Sequence, residues 1–398
     1  MRLGTWAALV QCLLALSWTV YVVFLPGLLT AVGIEKKWVI WVLIADQAVF
    51  AVTDWLAGAY ADRLNRAFGR IGRPMIAVAV VSSLLLLAMP WIARTGQPVL
   101  LIVVLLLWSA TSSSLRAPVL SLLARLAFSD GRSRALSLAL FGTGFATAMS
   151  PWLSGVLRGL EPNLPMAVSA LSLIGAAALT LRVEPAIAAA PPVMPAVEPK
   201  PGESTRLNFG VPLPIVAATF VAIAGLGMQV QTALFADQLY RKLGSQPLAL
   251  WLPMFWIGFG IGQLVSVLAR NRSVSAGLAG SLLLAGAIAM YLALSAGSTF
   301  ALAASQVCAG TAWGVFLAAM FKGAIGGAGG RGAGSATGLI FSAMALAALL
   351  RLSLVAAGIN ALKTLPWLPA VSWALGGAAL LLLMRRRQDA RSSIPRRA

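Results

Sequence analysis

Histidine is absent from all 398 residues, and cysteine occurs only as Cys12 and Cys308. Without histidine there is no imidazole base, no imidazole metal ligand and no His-centred triad. Two cysteines, each inside an apolar stretch, supply neither a disulfide framework nor a four-ligand metal site. Charge is scarce too: 10% of the residues are charged, where a soluble surface needs roughly a quarter. No Walker-type phosphate loop occurs, so no nucleotide drives the protein directly. No metal and no cofactor is expected.

What the chain has is apolar residues, 60% of the total. They fall in blocks of about 20, the length that crosses roughly 30 Å of hydrocarbon at 1.5 Å per helical residue. Spans are expected at 6–30, 38–60, 74–93, 98–124, 135–157 and 164–182, then at 211–235, 248–268, 276–296, 299–322, 335–359 and 366–384. The expected fold class is all-α integral membrane, twelve transmembrane helices in two six-helix bundles. The first span is too long for a signal-peptide core and reads as retained.

Between the halves the composition changes. Residues 183–210 are rich in proline (Pro185, Pro191, Pro192, Pro195, Pro199, Pro201) and read as a flexible linker rather than a regular helix. The organisation is therefore an N-terminal half over 1–182, a linker over 183–210, a C-terminal half over 211–384 and a basic tail over 385–398.

The net charge is +19. On a soluble chain this would suggest nucleic acid, but here the cations sit in short loops between apolar spans, where they encode topology. No nucleic acid partner is expected; the basic tail (Arg385, Arg386, Arg387, Arg391, Arg396, Arg397) can touch anionic lipid. With the N-terminus inside, inner loops hold Arg63, Arg66, Arg70, Arg73, Arg125, Arg132 and Arg134, among others. Outer loops hold only Lys36, Lys37, Arg94, Arg158, Arg241, Lys242 and Lys363. The bias of about three to one places both termini in the cytoplasm of a cell with this protein in its inner membrane. The halves also echo each other. GRSRALSLALFGTGFATAMSPWL from Gly131 resembles GRGAGSATGLIFSAMALAALLRL from Gly330, half a chain away.

Between spans 2 and 3 lies DWLAGAYADRLNRAFGRIGRPMI, from Asp54 to Ile76. A glycine at position 58 lets two helices approach. A carboxylate at Asp62, on the membrane–water boundary, can accept bonds from the N-terminus of a neighbouring helix, where the dipole favours an anion. The segment resembles the signature loop of the major facilitator superfamily. Its closest look is to the sucrose and glycoside–pentoside–hexuronide transporters, whose loop reads G-x-x-x-D-R, four residues, F-G-R-R-R-P. Gly58, Asp62, Arg63, Phe68, Gly69, Arg70, Arg73 and Pro74 match it, with one extra residue around Ile71–Gly72. In span 4, LRAPVLSLLA resembles the sugar-transporter stretch R-A-L-L-A-D-L, with Arg116 on its arginine. The family's acidic residue five positions on falls at Ser121, so that part of its proton-coupling scheme does not transfer. The resemblance implies a conformational role for Gly58, Asp62, Arg63, Gly69, Arg70 and Arg73.

Four ionisable residues lie within spans: Asp46 and Asp54 in span 2, Arg116 in span 4 and Arg351 in span 11. Facing lipid, each would cost several kcal/mol, so each is expected to meet a partner or a wet cavity. Helical rise puts Asp54 and Arg116 at about 22 and 25 Å from the outer surface, and Asp46 and Arg351 at about 10 Å. These pairs read either as gating, coupling or substrate groups, or as static ion pairs that fix packing. In the resembled fold, spans 1, 4, 7 and 10 surround the central path. The polar candidates to line it are Gln11, Trp18 and Tyr21 in span 1, Gln229 and Gln231 in span 7, Gln263 in span 8, and Gln306 and Trp313 in span 10. Tyr60, Trp38, Trp41, Trp91 and Trp367 lie near span ends and read as interface residues.

The expected function is secondary transport of a small solute by alternating access, with import of a sugar-like molecule first and protons as the candidate coupling ion. Export of a drug or metabolite through the same fold is the alternative. An integral-membrane enzyme ranks third, because no nucleophile–base cluster is present.

Overall fold

The computed structural model describes residues 3–68, 71–124, 130–188, 211–269, 276–328 and 332–392. Among these, twelve helical segments are long and apolar enough to cross a membrane. We label them α1 (Leu3–Ala31), α2 (Lys36–Asn65), α3 (Gly72–Arg94), α4 (Pro98–Leu123), α5 (Arg134–Leu157) and α6 (Asn163–Pro185). The second half holds α7 (Leu213–Lys242), α8 (Leu248–Leu268), α9 (Gly277–Leu294), α10 (Thr299–Gly327), α11 (Ala333–Ala356) and α12 (Leu368–Arg385). Helix is the only open-ended way to satisfy every backbone N–H and C=O in hydrocarbon. Pro26, Pro90 and Pro151 lie inside helices, as neighbouring helices in a bundle permit.

Twelve crossings return the chain to its starting side. The face carrying both termini is called here the terminal face, and the opposite one the far face. The helix of α6 continues to Ala188. The expected linker thus begins six residues inside a helix, because Pro185 near a helix end removes one bond without ending it; residues 189–210 lie outside the described residues. Likewise the last helix runs to Ser392, through most of the expected tail.

The packing is a repeat with an offset of six helices. In the first half, α1 packs on α5 and α6, α3 on α4 and α6, and α2 on α4. In the second, α7 packs on α11 and α12, α9 on α10 and α12, and α8 on α10. The same offset relates the seams between the halves, α2 against α11 and α8 against α5. This is the parallel-repeat architecture of a large transporter class.

The α2–α11 seam shows why its sequence is glycine-rich. A Cβ at Gly58 would collide with the Gly334 carbonyl, and one at Gly338 with the Asp54 carbonyl. Only glycine lets the two backbones touch, and close approach is what joins helices where lipid is as apolar as leucine.

Candidate functional site

At the terminal face, α11 begins after Gly332, which has no side chain to cap the helix. Its first N–H groups are capped from the other half. Asp62, buried in α2, accepts from the backbone N–H of Gly334 at 2.8 Å, and from the N–H and Oγ of Ser335 at 2.8 Å each. An anion at a helix N-terminus is doubly favoured, by the dipole and by the orphan donors. Among the described residues these are the only hydrogen bonds between the halves. Of the other loop residues, Arg63 and Arg73 are exposed; Gly69 and Arg70 lie outside the described residues.

A second carboxylate does similar work within one half. The N-cap of α3 is Ile71, which offers no side-chain oxygen. Glu184, buried at the end of the α6 helix, accepts from the N–H of Ile71 and, at 2.9 Å, from that of Gly72. Sequence reasoning placed Glu184 in the linker and missed it. The available signal was an acid two residues past the apolar block, with no Ser, Thr, Asp or Asn directly ahead of α3.

Deeper in, Arg116 and Asp54, matched in depth by helical rise, form an ion pair at 2.6 Å. Span α4 is interrupted there: one helix ends at Ser113 and the next begins at Arg116. Asp54 is wholly buried, whereas the Arg116 side chain is 28% exposed. The guanidinium carbon lies 4.7 Å from the Phe50 ring centre and 5.3 Å from that of Phe341, so Arg116 also touches the opposite half. Gln11 donates to the Arg116 carbonyl at 3.2 Å.

Asp46 and Arg351 do not pair in this structure. Asp46 is wholly buried and accepts from Tyr21 at 2.7 Å and from Ser109 at 2.6 Å, both in its own half. Arg351 is half-buried, and its Nε has no partner.

Between the halves lies a cavity of about 400 Å3. Of the polar candidates, Gln11, Trp18, Gln229 and Trp313 line it, together with Arg116. Tyr21, Gln231, Gln263 and Gln306 do not. At 100° per residue, Gln229 and Gln231 sit about 200° apart and cannot share a face, and Tyr21 is turned about 60° from Trp18 toward Asp46. Gln263 ties α8 to α10 by donating to the Gly314 carbonyl at 2.8 Å. Gln306 shares the face of Trp313 but lies two turns nearer the far face; it and Gln231 are buried with unpaired amides. Residues that sequence reasoning missed include Phe50, Thr147, Trp256, Phe259 and Phe341. Their types are ordinary in membrane helices, so only the fold reveals their facing. Tyr60, Trp38, Trp41, Trp91 and Trp367 are exposed near span ends.

Comparison with known proteins agrees with this geometry. No curated protein sequence gives a significant match. Among solved structures, the human organic anion transporter MFSD10 (TETRAN) is similar at TM-score 0.65 and 15% identity, covering 96% of this chain and 99% of that one. A bacterial homologue of the iron transporter ferroportin, in an outward-facing state, gives 0.67 and 14%, covering 97% and 100%. The E. coli fucose:proton symporter FucP gives 0.63 and 14%, covering 96% and 98%. The sequence profile of the Major Facilitator Superfamily matches residues 7–350. With twelve spans in two repeated halves, a cavity on their interface and that match over most of its length, the chain belongs to the Major Facilitator Superfamily, a family of membrane transporters.

Proposed function

We propose that the protein is a secondary transporter that moves a small solute across the cell inner membrane by alternating access, with the halves 1–182 and 211–384 as the two rocking bodies. The observation that carries this is the cavity between the halves, combined with the hydrogen-bonded latch between them at the terminal face. Sites at the interface of repeats, opened to one side at a time, are how such proteins work. The bias of Lys and Arg makes the terminal face the cytoplasmic one. The conformation described is then the one closed to the cytoplasm. Release of Asp62 from Gly334 and Ser335 would let the halves part there.

Protons are the proposed coupling ion. Asp46 and Asp54 are fully buried carboxylates inside spans, and Asp46 has no cation beside it among the described residues. An intramembrane carboxylate so placed is where a proton can be carried. The loop resemblance favours import of a sugar-like solute. The aromatic walls of the cavity favour a second reading, movement of a more lipophilic drug or metabolite. Purified protein in liposomes tests the transport reading. Saturable uptake of a solute, accelerated by an imposed pH gradient, is expected. Uptake indifferent to that gradient would remove the proton, and flux that never saturates would remove the transporter.

A further inference from the structure

We infer that the cavity takes an amphipathic organic monoanion, its carboxylate on Arg116 and its apolar body on the wall formed by the second half. The inference rests on the transport reading for its role, but the chemistry of the site is independent of it.

The two walls of the cavity differ. The first half contributes most of the polar lining, Gln11, Gln47, Ser112 and Thr147 among it, beside the rings of Trp18, Phe50 and Trp108; the second is mostly apolar and aromatic, with Met228, Trp256, Phe259 and Phe341, and has Gln229 and Thr232 as its polar members. One end of the ligand is thus offered polar groups and the other a broad apolar and aromatic surface. Among the described lining residues, Arg116 alone is charged. Its partner Asp54 is wholly buried behind it and does not line the cavity. The pair therefore presents its positive end to the ligand. A cation in this low-dielectric space would face Arg116 with no acid to receive it.

The hydroxyl groups argue in the same direction. Thr147 donates to the Thr143 carbonyl at 2.8 Å, and Ser113 and Ser150 reach the Ala110 and Ala146 carbonyls at 3.1 Å. Hydroxyls already spent on their own helices make a weak case for a polyol, which asks for many donors at once. The guanidinium, in contrast, has five N–H groups. One bond to Asp54 leaves capacity for a second carboxylate. That second carboxylate shares one positive charge with Asp54 and is repelled by it, so the two compete electrostatically even though donors remain. The competition gives the proposal a signature that a merely structural ion pair lacks.

The test is calorimetric binding of 2-naphthoate, 2-naphthamide and glucose to the purified full chain, with a liposome uptake arm. Naphthoate is expected to bind at least about tenfold more tightly than its neutral amide, the scale of a charged hydrogen bond. Arg116→Gln should abolish that preference. Asp54→Asn should strengthen naphthoate by roughly tenfold and leave naphthamide unchanged, because the competitor for Arg116 is gone. Equal affinities for acid and amide, or a preference that survives Arg116→Gln, would overturn the inference. If Arg116→Gln does not fold, Asp54→Asn decides alone, and unchanged or weaker naphthoate binding overturns it. Naphthoate bound but not carried supports the anion site and counts against the transport reading. Glucose carried by a protein that does not bind naphthoate keeps the transport reading and removes the anion site.

Discussion

At the α2–α11 seam, glycine faces glycine, Asp62 holds the start of α11, and Arg116 reaches from Asp54 to Phe341. At the α5–α8 seam, the ring of Phe259 lies where a Cβ of Gly144 would stand, and Phe141 packs on Gly260. The repeat makes the two seams equivalent in position, yet one is polar and directional and the other apolar. Hydrogen bonds to a carboxylate are made or lost within an ångström, each worth about 1.5–3 kcal/mol. Ring-on-glycine packing is non-directional and tolerates sliding. The polar seam is therefore suited to distinguish one state from another. The apolar seam is suited to hold the halves together in both.

The largest expected effect comes from preventing the polar seam from closing. Gly338→Leu would drive a side chain into the backbone of Asp54 and Trp55. Uptake in liposomes should fall by roughly 100-fold, since such overpacking costs about 3 kcal/mol. Normal uptake would mean that the close approach is not needed for the cycle.

Next comes the latch itself. Asp62→Asn should slow turnover by about 30-fold, the equivalent of about 2 kcal/mol taken from charge-assisted bonds. Substrate affinity should change less than about threefold, because Asp62 does not line the cavity and acts on conformation. An affinity loss as large as the turnover loss would make Asp62 a binding residue. The matching change in the other seam, Phe141→Leu, keeps the contact apolar and should alter turnover by no more than about threefold. A larger loss would erase the contrast between the seams.

A third effect concerns the far face. Arg351 has an unpaired Nε in this structure and sits on α11, which packs on the α2 that carries Asp46. If the two meet when the far face closes, Asp46→Asn and Arg351→Gln should be non-additive by roughly tenfold in a transport cycle. Additive losses would leave Asp46 with Tyr21 and Ser109 as its full set of partners.

The smallest effect on transport is expected at Glu184. It caps α3 from within the same half, so its bonds need not break as the halves rock. Glu184→Gln should lower stability by about 1 kcal/mol, seen as a lower Tm, with turnover within about twofold. A turnover loss like that of Asp62 would place α3 among the moving contacts.

The fold was legible because membrane crossing imposes a length and an apolarity that sequence states directly. All twelve spans lie where the apolar blocks do. The repeat was legible at Gly131 and Gly330, although its echo is only in small residues. Depth, linear in residue number, matched Asp54 with Arg116, which pair, and equally Asp46 with Arg351, which do not pair in this structure. Rotation about each helix axis was not legible, and it decides which residues meet the cavity. Gln229 and Gln231 were both plausible, and only one can face inward. Nor could the spacing show that Asp46 is held by Tyr21 and Ser109, since both donors come from other helices and carry no charge to pair by.

In the proposed cycle, Asp62 is the contact that keeps the terminal face closed. The direct measurement is a distance distribution by pulsed electron resonance, with native cysteines replaced and spin labels at Arg63→Cys and Leu268→Cys, one on each half near that face. With Asp62 intact, a short-distance population should dominate in the absence of solute. Asp62→Asn should shift most of it to longer distances. Identical distributions with and without the carboxylate would contradict the latch, and with it the division of labour between the two seams.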